Sequence, residues 1–166
     1  MLPDRDTDIA GIDQVFDAHQ RDLYQFARRL SGARDEARDL VQEVFVRFLQ
    51  AKVSPATDDE VRGWLYRTLV NLCRDRRRRS AVRSRFHDAP RESRGPDDSE
   101  ARLVARLAVE RALLQLDTRR RAIVALHEIQ GESVADIARL LDIAPVTVRW
   151  HLSRARRLLS AVLASD

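Results

Sequence analysis

The sequence predicts an all-α protein built from two small helical domains joined by a flexible linker. Apolar residues recur at steps of three and four over several long stretches, which is the spacing of one face of an α-helix. No β-branched segment alternates with a period of two, so nothing indicates strands. Residues 86–100 contain prolines, a glycine and serines with almost nothing apolar, which is typical of a linker. We therefore divide the chain into domain 1–85, linker 86–100 and domain 101–166.

The first domain begins with two predicted helices. Apolar spacing over residues 12–30 predicts one helix, or two with a bend near His19, ended by Gly32 as a C-cap. A second helix is predicted over residues 33–51. Its inward-facing residues are expected to be Ala37, Leu40, Val41, Val44, Phe45, Phe48 and Leu49. Several acids lie in its first half, where they would either favour the helix dipole or form a docking surface for a basic partner.

A loop and a third helix complete the first domain. Residues 52–60 are a loop by composition, because Pro55 does not suit a helix interior. The third helix is predicted from Val61 to about Val82. Asn71 in its middle is a poor helix former, so it is either a surface residue or is held by a tertiary contact or a ligand. Inward positions are expected at Trp64, Leu65, Leu69, Leu72 and Cys73.

Positive charge is clustered at the end of this third helix. Net charge is +4, and residues 74–85 contain seven arginines against one acid, Asp75. Such a cluster suits a polyanionic partner. The alternative is a basic surface that serves only solubility.

The second domain is predicted to have four helices. Residues 101–116 and 118–129 form the first two, with Asp117 as the N-cap of the second. Ser133 and Asp136 then form a capping box at the start of a short helix. A tight turn at 142–144 leads to Pro145, which suits the first position of a helix because its missing N–H costs nothing there. This pattern predicts a helix-turn-helix.

The last helix has two distinct faces. Its apolar stripe is formed by Val148, Leu152, Ala155, Leu159 and Val162. The opposite face is formed by Val146, Trp150, Ser153 and Arg157, flanked by Arg149 and Arg154, and no acid occurs between Asp142 and Asp166. A helix that enters the DNA major groove needs this arrangement. The alternative is an ordinary amphipathic helix with a solvated arginine face.

Enzymatic, metal and membrane functions find little support. Cys73 is the only cysteine, so it cannot form an internal disulfide, and we expect it to be buried. The four histidines lack ligand spacing, and no glycine-rich phosphate loop occurs. We expect no catalytic residue, no metal and no cofactor. The N-terminus is acidic and no apolar run reaches membrane length, so a cytoplasmic, soluble protein without membrane insertion is expected.

Three segments in this order resemble the extracytoplasmic-function (ECF) sigma factors of the sigma-70 family. DEARDLVQEVFVRFL (residues 35–49) resembles the polymerase-binding helix of region 2, and WLYRTLVNLCRDRRRR (64–79) resembles its −10 DNA-binding helix. Residues 116–159 resemble region 4, which binds the −35 element. The resemblance covers about Phe16 to Leu159.

The resemblance implies roles for individual residues. Core-polymerase contacts fall on Asp39, Gln42 and Glu43. Contacts with the −10 element fall on Trp64, Arg67, Asn71, Arg74, Arg77 and Arg78, although Trp64 suits the core better than a stacking role. Contacts with the −35 element fall on Thr147, Arg149, Trp150, Ser153, Arg154 and Arg157. Residues 52–60 correspond to a loop that captures a flipped base.

The resemblance also implies partners. The partners that it implies are core RNA polymerase (its β′ clamp helices and β flap), promoter DNA and an anti-sigma factor, in a bacterial cytoplasm. The function that it implies is promoter recognition, DNA opening and transcription initiation at a subset of promoters. Three positions depart from the family pattern: Asp142 replaces a common turn glycine, Val146 another glycine, and Trp150 a small polar residue. The −35 sequence therefore cannot be inferred from relatives.

Two other functions remain as alternatives. An autonomous helix-turn-helix regulator would need a signal-receiving pocket and a dimerisation helix, and the sequence indicates neither. A protein–protein adaptor would not need arginine-rich faces in both halves.

Overall fold

The structure is a computed structural model that describes residues 5–51, 57–83 and 100–163, with side chains over 11–51, 57–80 and 108–161. The helices are α1 (Arg5–Ser31), α2 (Arg34–Gln50), α3 (Asp58–Arg83), α4 (Glu100–Gln115), α5 (Thr118–Val124), α6 (Val134–Leu141) and α7 (Pro145–Leu163). No strand occurs in these ranges, which confirms the all-α prediction. Residues 86–99 of the predicted linker and 52–56 of the predicted loop lie outside the described residues.

Helices α1, α2 and α3 enclose the core of the first half. The helix α1 is continuous through His19, so the alternative with a bend there is wrong. Phe26 of α1 stacks on Tyr66 of α3, with ring centroids 4.8 Å apart. Leu49 was expected inward but is 49% exposed. It lies roughly 100° around the helix from the centre of the buried stripe of α2, so its side chain points to solvent.

The predicted helix ends depend on local chemistry and are confirmed. Gly32 has φ +78°, and its N–H donates to the Arg28 carbonyl at 2.9 Å, so it caps α1. Asp117 accepts a hydrogen bond from the Arg120 backbone N–H at 3.0 Å and caps α5.

Helices α4 to α7 form the second half. A π-helical turn, Ala125–Ile129, continues directly from α5 and was not predicted. Its end is closed by the Glu132 N–H, which donates to the Leu126 carbonyl at 3.0 Å. The helix α7 packs on α4, α5 and α6, with Val148, Leu152 and Ala155 buried as predicted.

The two halves pack against each other and share one continuous apolar core. The helix α5 contacts α1 and α3, and α6 contacts α3. At the boundary, a Cβ added to Gly32 would lie 3.2 Å from the Leu114 Cδ2 atom. This close packing between the halves was not predicted from the sequence.

Candidate functional site

Helices α6 and α7 form a tight helix-turn-helix. The Ser133 hydroxyl accepts the Asp136 backbone N–H at 3.1 Å, and donates to the Asp136 carboxylate at 2.5 Å. Asp142 adopts the left-handed conformation, with φ 53° and ψ 55°. This conformation turns the backbone so that the Ile143 N–H donates to the Ala138 carbonyl at 3.0 Å. Because Asp tolerates this conformation better than most residues, the turn forms without glycine. The turn fixes where α7 begins.

The outward face of α7 is basic and accessible. Arg149, Ser153, Arg154 and Arg157 are exposed and Thr147 is partly buried. The Arg157 guanidinium donates to the Ser153 hydroxyl at 3.2 Å. Among the residues with described side chains, no carboxylate lies within salt-bridge distance of Arg149 or Arg154, so both guanidinium groups can bind an external anion.

Trp150 lies on this same face and is held from one side. Its side chain is 56% exposed, and the Arg120 guanidinium carbon lies 5.5 Å from the centroid of its ring. Arg120 is in turn paired with Asp117, with 2.6 Å between the Arg120 Nη1 and Asp117 Oδ2 atoms. The His151 ring lies edge-on at 4.9 Å from the indole. This chain of contacts fixes the orientation of the indole.

His151 is a neutral neighbour of this cluster. Partial burial is the main cause that lowers the pKa of the His151 imidazole below its usual 6.5. The positive charges of Arg120 and Arg119 lower it further, while Asp117 acts in the opposite direction. At neutral pH the imidazole therefore adds no charge to the arginines around it.

A cleft of about 400 Å³ borders the basic face of α7. Its lining residues are His127, Val134, Arg149, Leu152, Ser153, Arg156 and Arg157. Arg156 is held on the rim by Glu128 at 2.8 Å, and this hydrogen bond lowers the pKa of the Glu128 carboxyl. The cleft combines positive charge with a hydroxyl, which is suitable chemistry for a phosphate group of a DNA strand.

On the basic face of α3, some side chains are exposed to solvent and others bind the second half of the chain. Asn71, Arg74 and Arg78 are exposed. In contrast, the Arg67 guanidinium donates to the Leu140 carbonyl of α6 at 3.1 Å. Arg77 donates to the carbonyls of Leu114 and Leu116, at 3.2 Å and 3.1 Å.

Trp64 lies at the edge of the first core. Its ring meets Phe48 edge-to-face with centroids 5.3 Å apart, and its side chain is half-buried. Because the side chain is half-buried, only part of the ring is accessible to a base.

The acidic face of α2 also contains apolar residues. Asp39 and Gln42 are exposed, and Val46 and Leu49 follow on the same side of the helix. Glu43 is paired instead with Arg76 and Arg47, at 2.8 Å in each case. The hydrogen bond from Arg76 is the main cause that lowers the pKa of the Glu43 carboxyl, and Arg47 adds to it.

Two arginine contacts near the candidate site were not predicted from the sequence. Arg120 supports Trp150, and Arg121 joins the two halves through backbone carbonyls. Both lie in a run of three arginines, Arg119 to Arg121, that gives no local sign of which one is buried. The position of Arg120 three residues after Asp117 was the only usable signal, because that spacing favours an ion pair on a helix.

Comparison with known proteins supplies the family. Residues 15–83 match the family Sigma-70 region 2, and residues 106–159 match Sigma-70, region 4. The ECF RNA polymerase sigma factor SigM of Mycobacterium tuberculosis is 37% identical over 152 residues, covering 91% of this chain and 76% of SigM. SigL of the same species is 35% identical over 154 residues, covering 90% of this chain and 86% of SigL.

The chain belongs to the ECF sigma factors of the sigma-70 family. In this sigma factor, the region 2 match contains the faces of α2 and α3 described above, and the region 4 match contains the helix-turn-helix. The family resemblance inferred from the sequence is thereby confirmed.

Solved structures have the same fold. The sigma factor RpoE of Bartonella quintana, in complex with the anti-sigma factor NepR, superposes with a TM-score of 0.68 and 25% identity, covering 93% of this chain and 97% of RpoE. CnrH, in complex with the cytosolic domain of CnrY, gives a TM-score of 0.64 and 28% identity, covering 93% of this chain and 88% of CnrH.

In the part of the chain with described side chains, no three His, Cys, Asp or Glu residues cluster as metal ligands would. Among the described residues of this sigma factor, no helix combines the length and the hydropathy that crossing a bilayer requires.

Proposed function

We propose that this chain is a dissociable subunit of bacterial RNA polymerase that directs the core enzyme to a subset of promoters and helps to open the DNA. It acts in the cytoplasm and performs no chemistry itself. The observation that supports this most strongly is the basic face of α7, in which Arg149 and Arg154 have no carboxylate partner among the residues with described side chains. The family membership gives this face its function.

In this proposal α7 binds the −35 element. Guanidinium groups of Arg149, Arg154 and Arg157 donate to guanine edges or phosphates in the major groove, and Thr147 and Ser153 supply hydroxyls. The cleft beside α7 accepts the flanking phosphate. Each neutralised phosphate makes the affinity more sensitive to salt: it adds about −0.9 to the slope of the logarithm of the binding constant against the logarithm of the salt concentration.

The −10 element is bound by α3. Asn71, Arg74 and Arg78 are accessible for this contact, whereas Arg67 and Arg77 donate to carbonyls of the second half in this arrangement. Arg67 and Arg77 can bind the −10 DNA only after the halves separate. Trp64 would contribute through the accessible part of its ring.

Core polymerase binds the face of α2. Asp39 and Gln42 offer accessible polar groups for a basic partner, while Val46 and Leu49 offer apolar area to bury. Glu43 contributes less directly, because its carboxylate already pairs with two arginines. An interface with an apolar centre and a polar rim is a common arrangement between proteins.

The packed halves suggest how activity is controlled. Core binding would separate them, and an anti-sigma factor would hold the factor away from core by covering the same faces. The solved RpoE structure, which contains an anti-sigma factor, supports a partner of this kind.

The test is run-off transcription with purified bacterial core polymerase on genomic DNA fragments. We expect discrete new start sites that depend on this protein. The double variant Asp39→Ala with Gln42→Ala should lower their yield by roughly tenfold, equivalent to about 1.4 kcal/mol. The control pair Asp13→Ala with Gln25→Ala, exposed on α1, should not. Tight duplex binding without core, and no new transcripts with it, would favour an autonomous regulator instead.

A further inference from the structure

The recognition helix exposes two large apolar side chains within its basic face. Val146 is 67% exposed, and Trp150 lies four residues later on the same side of α7. Both side chains would gain free energy from being covered, since buried apolar area is favourable. Neither is needed for the fold, because Val148, Leu152 and Ala155 already supply the buried stripe of α7.

Trp150 is held in place before any partner arrives. One side of its ring is covered by the Arg120 guanidinium, which Asp117 anchors, and His151 packs against its edge. A cation placed over an indole is attracted by the ring, and the ion pair limits the movement of the cation. The indole is therefore preorganised, and the rest of its exposed surface is available to a ligand.

The charges around the apolar pair indicate the ligand. Arg149 and Arg154 are exposed on the same helix face, so a partner must combine negative charge with apolar contact area. In duplex DNA, phosphates provide the charge. The only apolar group among the base edges of the major groove is the C5-methyl group of thymine.

The spacing of the pair fits two base pairs that are separated by one intervening base pair. Residues four apart on a helix are separated by about 6 Å along its axis. Base pairs are stacked about 3.4 Å apart, so the two side chains together span roughly two steps. The geometry points to contact with thymines of two base pairs that lie two steps apart, on either strand.

We propose that Val146 and Trp150 recognise thymine methyl groups in the −35 element, and that Arg120 is a positioning residue that fixes Trp150 for this contact. This inference rests on the proposed function, because it requires that α7 binds promoter DNA. It concerns two of the positions at which this chain departs from the family pattern.

The experiment replaces each thymine of the −35 element in turn by uracil, which lacks only the methyl group. The probes are promoter duplexes found by the transcription test, and binding by the complete holoenzyme is measured by competition. We expect the binding affinity to fall about fourfold at one thymine, or at each of two thymines that lie two base-pair steps apart, as burial of a single carbon group provides. Thymines outside the element serve as controls.

Variants assign each methyl group to a side chain. In Trp150→Ala, the uracil substitution at one position should cause no further loss of affinity. In Val146→Ala, the same should hold at the position two steps away. Both side chains are exposed, so both variants should fold; circular dichroism checks this.

The positioning role of Arg120 is tested by thymine-over-uracil discrimination, which a purely structural role of this residue would not change. Arg120→Met should weaken thymine-over-uracil discrimination at the Trp150 position and leave it intact at the Val146 position. Arg120→Lys should restore part of it, since a cation over the ring is retained. Arg119→Met, an exposed neighbour with the same change in charge, should alter affinity without altering discrimination.

The outcomes separate this inference from the proposed function. New transcripts with no thymine that responds to uracil, or a −35 element without A·T pairs, would overturn the thymine contact and leave the sigma function intact. Absence of transcripts from unmodified promoters would overturn both. Unchanged promoter binding by Trp150→Ala, together with lost binding of an anti-sigma protein, would mean that a protein covers this side chain, and would also overturn the inference.

Discussion

The Arg121 guanidinium of α5 donates a hydrogen bond to the Leu30 carbonyl in the last turn of α1, so one side chain joins the two halves of the chain. Arg121 is only 1% exposed. Its other donors bind the carbonyls of Leu113, Leu114 and Leu116, at 2.8, 2.7 and 3.0 Å. These groups lie at the ends of α1 and α4, where helices leave carbonyls without intrahelical partners. A cation at these helix ends is also favourable for the helix dipoles.

Replacing Arg121 should be costly. Arg121→Met removes one donor from each of four carbonyls, of which those of Leu114 and Leu116 keep the Arg77 guanidinium. Because a buried cation and its hydrogen bonds are lost together, we expect a loss of about 3 kcal/mol in the free energy of unfolding. Arg121→Lys should lose less, because an ammonium group retains some donors but cannot match the guanidinium geometry. Urea unfolding measures both variants. Arg119→Met, at an exposed position of the same helix, should change stability by less than about 0.5 kcal/mol.

Contacts between near neighbours in the chain could be predicted, and contacts between the halves could not. The caps Asp117 and Ser133 bond to groups three residues away, so local spacing reveals them. Arg121 and Leu30 are separated by 91 residues, and the acceptor is a backbone carbonyl that every residue possesses. Sequence composition contains no sign of such a pairing.

The candidate site shows the same division. The exposed positions of α7 follow from helical periodicity, so Arg149, Trp150 and Arg154 could be assigned to one face in advance. The engagement of Arg67 and Arg77 with carbonyls of the second half depends on how complete domains pack. Periodicity within one helix does not determine this packing, so it was not predicted.

The ion pair between Arg62 and Glu132 should help to hold the halves together. These half-buried side chains connect α3 to the segment before α6. The reversal Arg62→Glu would place two carboxylates against each other, so we expect a population with separated halves. Small-angle X-ray scattering should then give a larger radius of gyration than the roughly 15 Å expected for a compact chain of this length.

A charge exchange provides the control for this prediction. The double variant Arg62→Glu with Glu132→Arg should restore the compact radius, because the attraction is re-established. Arg38→Glu, which affects an exposed pair within α2, should leave the radius unchanged. Equal radii for the Arg62→Glu variant and the unaltered protein would contradict a role for this pair in closure.

Three glycines allow backbone conformation and packing to be separated. Gly32 and Gly131 both have positive φ, +78° and +73°, but only the Cβ of an alanine at residue 32 would meet a neighbour, Leu114. We expect Gly131→Ala to cost about 1–2 kcal/mol from the left-handed conformation alone. Gly32→Ala should cost more, because Leu114 must also shift. Gly11→Ala, in open space within α1, should stabilise by about 0.5–1 kcal/mol. Thermal unfolding of the three variants tests this order.

Cys73 should make the protein less stable in alkali. Burial, aided by the charge of Glu36, raises the pKa of the Cys73 thiol to about 12. Because this exceeds the unfolded pKa near 8.5–9, the folded state retains the proton that the unfolded state loses. The stabilisation that the protonated thiol gives the folded state is complete below about pH 9 and is lost progressively as pH rises towards 12. Burial also raises the pKa of the Tyr66 phenol, which acts in the same direction.

The Cys73→Ala variant isolates the thiol contribution to this alkaline loss. It removes the titrating group but retains Tyr66, so the fall in unfolding free energy between pH 8 and pH 10.5 should be smaller than in the unaltered protein. Some stability is lost at all pH values through the smaller side chain. The decisive measurement is therefore the slope of stability against pH. In parallel, iodoacetamide at pH 8 should modify the Cys73 thiol only as fast as the folded protein opens. Equal slopes for Cys73→Ala and the unaltered protein, or rapid modification of the folded protein, would contradict a buried, protonated Cys73.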